Sequence, residues 1–347
     1  MTSIVKLSHL ETADGVRQIP VSNIAEMNGS FTLRNKILDG RFDFWYEGTS
    51  QTANGYNTMW FNDVVGSTHT VTRENLIPGV DLPAIECPSA KYFSRTVVNS
   101  VTGSDNRCRK YQCIEDVRTL AGKTATLSFY ARADSTKYLE FSLEQQFGGG
   151  SASLIGLCST KFTLTSVWER HTATVNIPSL AGKTIGTDGT DRLVPTFWFD
   201  MGSTYNSQIG QQSGTFDLAC IQLEEGSVAT PFEELPIALS KTLLNRFIQE
   251  VNIGGDWCIA YMNGTVVTTN PVSMPEMRTI PNQSAINASQ FRYRSIAGAN
   301  KATPTIVTII MGLRGYQLRL EIPSTTYAAG DFVSDSTGQS ILLSARL

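Results

Sequence analysis

The chain has 347 residues, 28 Lys and Arg against 31 Asp and Glu, a formal net charge of -3 and a charged fraction of only 17%. That balance lacks the basic face of a dedicated nucleic-acid binder, and a hydrophobic fraction of 41% excludes wholesale disorder. With 38 Thr and 32 Ser, one residue in five is hydroxylic, which suits a β-rich extracellular or virion protein better than a cytosolic α/β enzyme.

Residues 1–30 do not read as a core-forming segment. Val5, Leu7 and Leu10 are spaced apolars ahead of a polar stretch with Asp14-Gly15 and Pro20, and the segment closes on the turn signal Asn28-Gly29. Such a segment is either a poorly ordered terminus or an arm that orders on another subunit, with those three apolars as its attachment points. The opening run is too short for a secretory signal, and no stretch reaches the ~18 apolar residues of a membrane span.

From residue 31 to 235 short strands alternate with turns. Thr124–Ala131, Tyr138–Leu143, Lys161–Thr165, His171–Ile177, Thr196–Phe199 and Phe216–Leu223 each carry apolar and small polar residues with period two, the signature of half-buried strands. Repeated short strands without interleaved helices predict two packed antiparallel sheets, a jelly-roll β-sandwich. A near-repeat, Thr119-Leu-Ala-Gly-Lys-Thr124 and Ser179-Leu-Ala-Gly-Lys-Thr184, carries the Gly-Lys-Thr of a phosphate loop. The glycine that loop needs upstream is replaced by Val117 and Ile177, and no helix pattern follows. Both copies read as turns entering strands.

The region 236–252 predicts the one helix, linking the sandwich to a second domain. Leu239, Leu243, Leu244, Phe247 and Val251 follow helical spacing before Ile253-Gly-Gly255, and Leu239, Leu243 and Phe247 offer an oligomer seam. Residues 253–347 resume β character and predict a smaller C-terminal β-sandwich. Trp257–Met262 and Thr265–Thr269 flank Asn263-Gly264, the strongest hairpin signal available.

Chemistry-bearing constellations are few. Six scattered cysteines do not form the dense framework of a small secreted scaffold, and are expected as mostly buried free thiols. His9, His69 and His171 lack metal-ligand spacing, and no nucleophile elbow or His-Glu-x-x-His occurs. The pairs Glu224-Glu225 and Glu233-Glu234 read as solvated surface; without a β-helix pattern, a polysaccharide depolymerase has little support. No enzyme activity is expected. Calcium is the only cofactor considered, with Asp188 and Asp191 as ligand candidates and Asp39 and Asp43 behind them. Aromatic residues cluster between Phe42 and Phe61, and rings stack on sugar faces. Trp45 and Tyr46, beside the turn-like Glu47-Gly-Thr49, and Tyr205 are the expected exposed rings, whereas Trp60-Phe61 and Phe197-Trp-Phe199 are expected in the core.

Asn35-Lys-Ile-Leu-Asp-Gly-Arg-Phe-Asp-Phe-Trp-Tyr-Glu-Gly-Thr-Ser50 resembles the opening of bacteriophage tail-fibre and virion proteins with a carbohydrate-binding-module-like domain. Ile114–Thr124, Leu127–Ala133, Trp168-Glu-Arg170, Ile177–Thr184, Phe197-Trp198 and Ile221–Glu233 follow in the order of that family, over residues 34–250. Two departures stand out: Asp39 replaces the usual Asn before Gly40, and a Cys-Gln-Arg-Tyr-Tyr ending is here Leu244-Asn-Arg-Phe-Ile248. The resemblance implies a jelly roll, a non-enzymatic structural place in a virion assembled in the host cytoplasm, and homotrimerisation. Its implied partners are other virion proteins and a host-surface glycan.

Overall fold

The structure, a computed structural model, describes residues 9–11, 18–20, 33–77, 81, 87, 89–205, 208–252, 255–263, 266–269, 272–283, 291–294, 300–302, 306–312, 314–321, 332–335 and 340–347. The chain divides into two compact units, Met1–Leu235 with Leu347, and Pro236–Arg346. No described helix is long and apolar enough to cross a membrane.

The first unit opens with paired short strands β1 (His9–Glu11) and β2 (Gln18–Pro20). Leu10 lies in β1, while Val5 and Leu7 fall outside the described residues. The sandwich follows with β3 (Ser50–Gln51), β4 (Gly55–Asn57), β5 (Trp60–Val65), β6 (Thr68–Asn75), β7 (Tyr92–Asn99), β8 (Arg107–Gln112), β9 (Ile114–Glu115) and β10 (Thr124–Ala133). It is completed by β11 (Lys137–Gln146), β12 (Leu154–Leu164), β13 (Glu169–Asn176), β14 (Arg192–Met201) and β15 (Gly214–Glu225). One sheet has the order β13-β10-β15-β7-β6-β3 and the other β12-β11-β14-β8-β5-β4, with β9 on β14. All pairs are antiparallel, and the architecture is an all-β jelly-roll sandwich.

Period two explains the layers. In β10, Ala125, Leu127, Phe129, Ala131 and Ala133 face the core. Leu139, Phe141 and Leu143 of β11 meet them there with Leu193, Phe197 and Phe199 of β14 and Trp60 of β5. Asp39-Gly40 is a tight turn against β15: Asp39 has φ 54°, and the Ile221 amide donates to the Gly40 carbonyl at 2.9 Å. A Cβ on Gly40 would lie 2.1 Å from the Ile221 carbonyl oxygen, so the family-like string is held at glycine by backbone contact. Both Leu-Ala-Gly-Lys copies are turns, with Lys123 and Lys183 amides bonded to the Leu120 and Leu180 carbonyls at 3.1 and 3.0 Å. The first runs straight into β10, whereas after the second no strand begins until β14 at Arg192.

On the far side of the six-stranded sheet, Phe93, Tyr130, Ala219 and Cys220 are covered by Leu76, Cys87 and Ala90 from the connection between β6 and β7. Cys87 and Cys220 form a disulfide there, which corrects the expectation of free thiols for this pair. Sequence spacing hid it, since 133 residues separate two cysteines that the fold makes neighbours. Cys108 and Cys158 carry free thiols.

In the second unit α1 (Ile237–Leu244) is shorter than expected. Residues 248–252 form β16 (Ile248–Asn252) rather than helix, because Ile248 and Val251 satisfy their backbone against β26 (Ser340–Ser344), where β-branched residues fit well. Of the proposed seam, Leu239 is 40% exposed on α1, Leu243 is half-buried, and Phe247 is buried beyond the helix end. The expected hairpin is present as β17 (Gly255–Asn263) and β18 (Val266–Thr269). The remaining strands are β19 (Val272–Ser273), β20 (Asn282–Gln283), β21 (Phe291–Arg294), β22 (Asn300–Ala302), β23 (Ile306–Met311), β24 (Gly315–Glu321) and β25 (Phe332–Asp335). They complete a three-stranded sheet, β16-β26-β20, and an eight-stranded one, with every pair antiparallel.

Candidate functional site

The seven-stranded sheet carries its chemistry on the face away from the core. Since Leu193 and Phe197 point inward, Val194, Thr196 and Trp198 point outward. The register then aligns two rows across the strands. One row is Lys161, Glu140, Trp198, Arg109 and Asp63; the other is Ser142, Thr196, Tyr111, Phe61 and Tyr56.

The second row ends in an aromatic strip. Ring centroids of Tyr111 and Phe61 are 5.2 Å apart, and those of Phe61 and Tyr56 are 4.8 Å apart. All three residues are half-buried. They sit on adjacent strands, so the strip spans ~10 Å at ~4.8 Å per strand. Burial pushes the Tyr111 phenol up to about 12, leaving it a neutral donor.

The first row is polar and tightly held. Arg107 and Arg109 both place Nε on Asp63 Oδ2, at 2.9 and 2.7 Å. Burial pushes Asp63 up, but these hydrogen bonds prevail and hold its carboxyl below the usual range. Arg109 also lies over the Tyr111 and Trp198 rings, 5.0 and 4.9 Å from their centroids, and 3.6 Å from Glu144 Oε1. Glu140 is occupied by Ser159 Oγ at 2.5 Å and the Gln208 amide at 3.1 Å.

Tyr205 belongs to this face. Its ring is 5.6 Å from Trp198, and its hydroxyl takes a hydrogen bond from Arg107 at 2.5 Å and donates to the Asp105 carbonyl at 3.2 Å. Trp198, expected in the core, instead lies on the outer side. It is 5% exposed beneath Tyr205 and Ile209, and its indole donates to Ser142 Oγ at 2.9 Å. The expected exposed ring Trp45 is a correction in the opposite direction. It is 9% exposed within the core, with its indole on the Phe42 carbonyl at 2.9 Å, because the Asp39 turn folds the segment inward. Tyr46 is half-buried, 6.1 Å from Phe44, and takes no part in either row.

The acidic candidates have structural partners. Asp188 Oδ1 accepts from the Thr190 amide and hydroxyl, both at 2.9 Å, and Asp191 Oδ2 accepts from the Val117 amide at 2.9 Å. Asp43 pairs with Arg41 at 2.7 Å, and Asp39 Oδ1 accepts the Asp43 amide at 2.7 Å. No group of three or more His, Cys, Asp or Glu placed to hold a metal occurs among the described residues. Glu224 accepts from the Thr230 amide at 2.9 Å, and Glu233 from the Asn35 amide at 2.9 Å.

Beneath the site, Lys110 faces the core at 0% exposure. Its ammonium contacts Asn57 Oδ1 at 3.3 Å and Asn62 Oδ1, and burial pulls its pKa down to about 7.

No protein-family model matches the sequence, and no curated protein matches it. Among solved structures, it is similar to a CBM4 module, at 15% identity over 54% of this chain and 98% of that one, with a TM-score of 0.32. It is also similar to the CBM22-2 xylan-binding domain from Paenibacillus barcinonensis, at 16% identity over 51% of this chain and 99% of that one, TM-score 0.32. A third is the enzymatically active domain of bacteriophage CBA120 tailspike protein 4, at 14% identity over 56% of this chain but 22% of that one, TM-score 0.33.

Proposed function

We propose that the sandwich binds glycan on the outer face of its seven-stranded sheet. The observation that carries this reading is the strip Tyr111–Phe61–Tyr56 alongside the Arg109–Asp63 row. Rings supply apolar area to the C–H face of a sugar, and the neighbouring charged groups supply directed hydrogen bonds. A ~10 Å strip, from ~4.8 Å per strand, accommodates about two sugar rings of an extended chain lying across the strands.

The ordered strings between Asn35 and Glu233 support the wider reading, a non-enzymatic bacteriophage virion protein: a tail fibre, head fibre or decoration subunit. On this reading residues 1–30 attach it to the particle, copies associate as a homotrimer, and the sandwich aids adsorption to host-surface glycan. A dedicated host-glycan receptor-binding protein is the second reading, favoured by the same aromatic strip.

Affinity electrophoresis through gels containing soluble polysaccharides tests the binding claim. Wild type is expected to be retarded, and Tyr111→Ala to lose about two- to tenfold in affinity with its unfolding midpoint little changed, since stacking on one ring contributes about 0.5–1.5 kcal/mol beyond area burial. Equal retardation of both proteins would refute the site. Antibody-gold labelling of intact particles tests the virion reading, which loses its ground if accessible particles carry no label.

A further inference from the structure

The outer face holds one donor–acceptor arrangement that the aromatic strip does not explain. Glu144 lies on β11 one register step beyond Ser142, and Arg109 lies on β8 one step the other side of Tyr111. Their side chains meet at 3.6 Å, so the pair crosses diagonally above Thr196. Thr196 is 0% exposed, and its hydroxyl has no hydrogen-bond partner. Neither member of the pair is saturated at the crossing. Arg109 commits Nε to Asp63 and Glu144 commits Oε2 to Gln146 at 2.9 Å. A guanidinium N–H and Glu144 Oε1 are left side by side, too far apart for a good hydrogen bond to each other.

We infer that Arg109 and Glu144 read a vicinal diol of an uncharged sugar and reject anionic glycans, an inference that rests on the glycan-binding reading above. One diol oxygen accepts from Arg109 while its neighbour donates to Glu144; only a group that both gives and takes protons serves both partners. A carboxylate or sulfate on the ligand can only accept. Its second oxygen would face Glu144 with no proton between them, while Asp63 and Glu144 together already balance the charges of Arg107 and Arg109. Unpaired, like-charged contacts of this kind are how a site discriminates against a competitor. The other outward cations are Arg107, held on Asp63 and the Tyr205 hydroxyl, Lys161, opposite Glu140, and Arg192, opposite Glu115 and Gln146. Arg192 lies two register steps from Thr196 and commits its Nε to Gln146 at 2.7 Å.

The test is affinity electrophoresis of the full chain in gels holding an uncharged β-glucan, xylan or galactomannan, each run beside its carboxymethylated derivative. The expected result is retardation by at least one parent polymer, with its derivative at least about tenfold weaker. Glu144→Gln should shift the two in opposite directions, weakening the parent about tenfold and strengthening the derivative. A derivative that binds wild type as tightly as its parent overturns the inference and leaves glycan binding standing. No retardation by any of the polymers removes the glycan-binding reading, and this inference with it. If Glu144→Gln does not fold, the wild-type comparison of parent and derivative decides alone.

Discussion

Replacing Lys110 with methionine should stabilise the protein at neutral pH and destabilise it in alkali. The folded state holds this amine at a pKa of about 7 against an ordinary 10.5, because it is sealed among Asn57, Asn62 and Phe42. The folded pKa lies below the unfolded one, so between pH 7 and 10.5 the unfolded chain binds the extra proton and wild-type stability rises with pH. At ~1.36 kcal/mol per unit, the burial cost is about 5 kcal/mol at pH 7, and wild type gains about 2 kcal/mol from pH 7 to 8.5. Methionine removes that cost but leaves Asn62 Oδ1 without its lysine donor, a loss of about 1–3 kcal/mol. The variant is then about 2–4 kcal/mol more stable at pH 7, with the order reversing near about pH 9. Urea unfolding followed by tryptophan fluorescence at pH 7, 8 and 8.5 reads the slopes directly. Parallel slopes for the two proteins would show that Lys110 does not titrate in this window and would refute the reasoning.

Two further perturbations probe the frame around the site. Cys220→Ser opens a loop closed across 133 residues, for which the chain-entropy argument sets an upper stabilisation of about 5 kcal/mol. Its melting temperature should fall, and dithiothreitol should lower wild type but not the variant. Asp39 has one buried oxygen without a partner, and burial, reinforced by Asp43, raises its carboxyl well above the ordinary value. Stability that depends on its protonation is therefore lost as pH rises through the carboxylate range. Asp39→Asn keeps the oxygen that accepts the Asp43 and Phe44 amides and should gain about 1–3 kcal/mol at pH 7, and less at pH 4, by the same unfolding assay.

The strands that alternate cleanly were legible. Thr124–Ala131 and Phe216–Leu223 lie wholly within β10 and β15. β8 was not, because its inward side is Cys108, Lys110 and Gln112 and its outward side is Arg107, Arg109 and Tyr111. Both faces read as polar, although one is buried. The site suffered from the same ambiguity. Trp198 and Phe197 are both buried, so burial could not tell the core side of β14 from a covered outer side. Only register does that, and it follows from long-range pairing with β11 and β8. Tyr205 was singled out from its polar surroundings alone, and the structure sets its ring against Trp198 on the outer face, whereas Trp45 misled because the turn that buries it depends on Gly40 meeting β15.

The disulfide-stapled connection over the six-stranded sheet limits the sandwich in one further respect. Leu76, Cys87 and Ala90 lie over Phe93, Tyr130, Ala219 and Cys220, which closes that part of the six-stranded sheet to a ligand, whereas the glycan site proposed above lies on the other sheet. On that proposal, one sandwich would hold a polysaccharide through its seven-stranded sheet. A strong grip on a repetitive surface would then come from several copies presenting that face together, where effective concentration multiplies weak individual contacts.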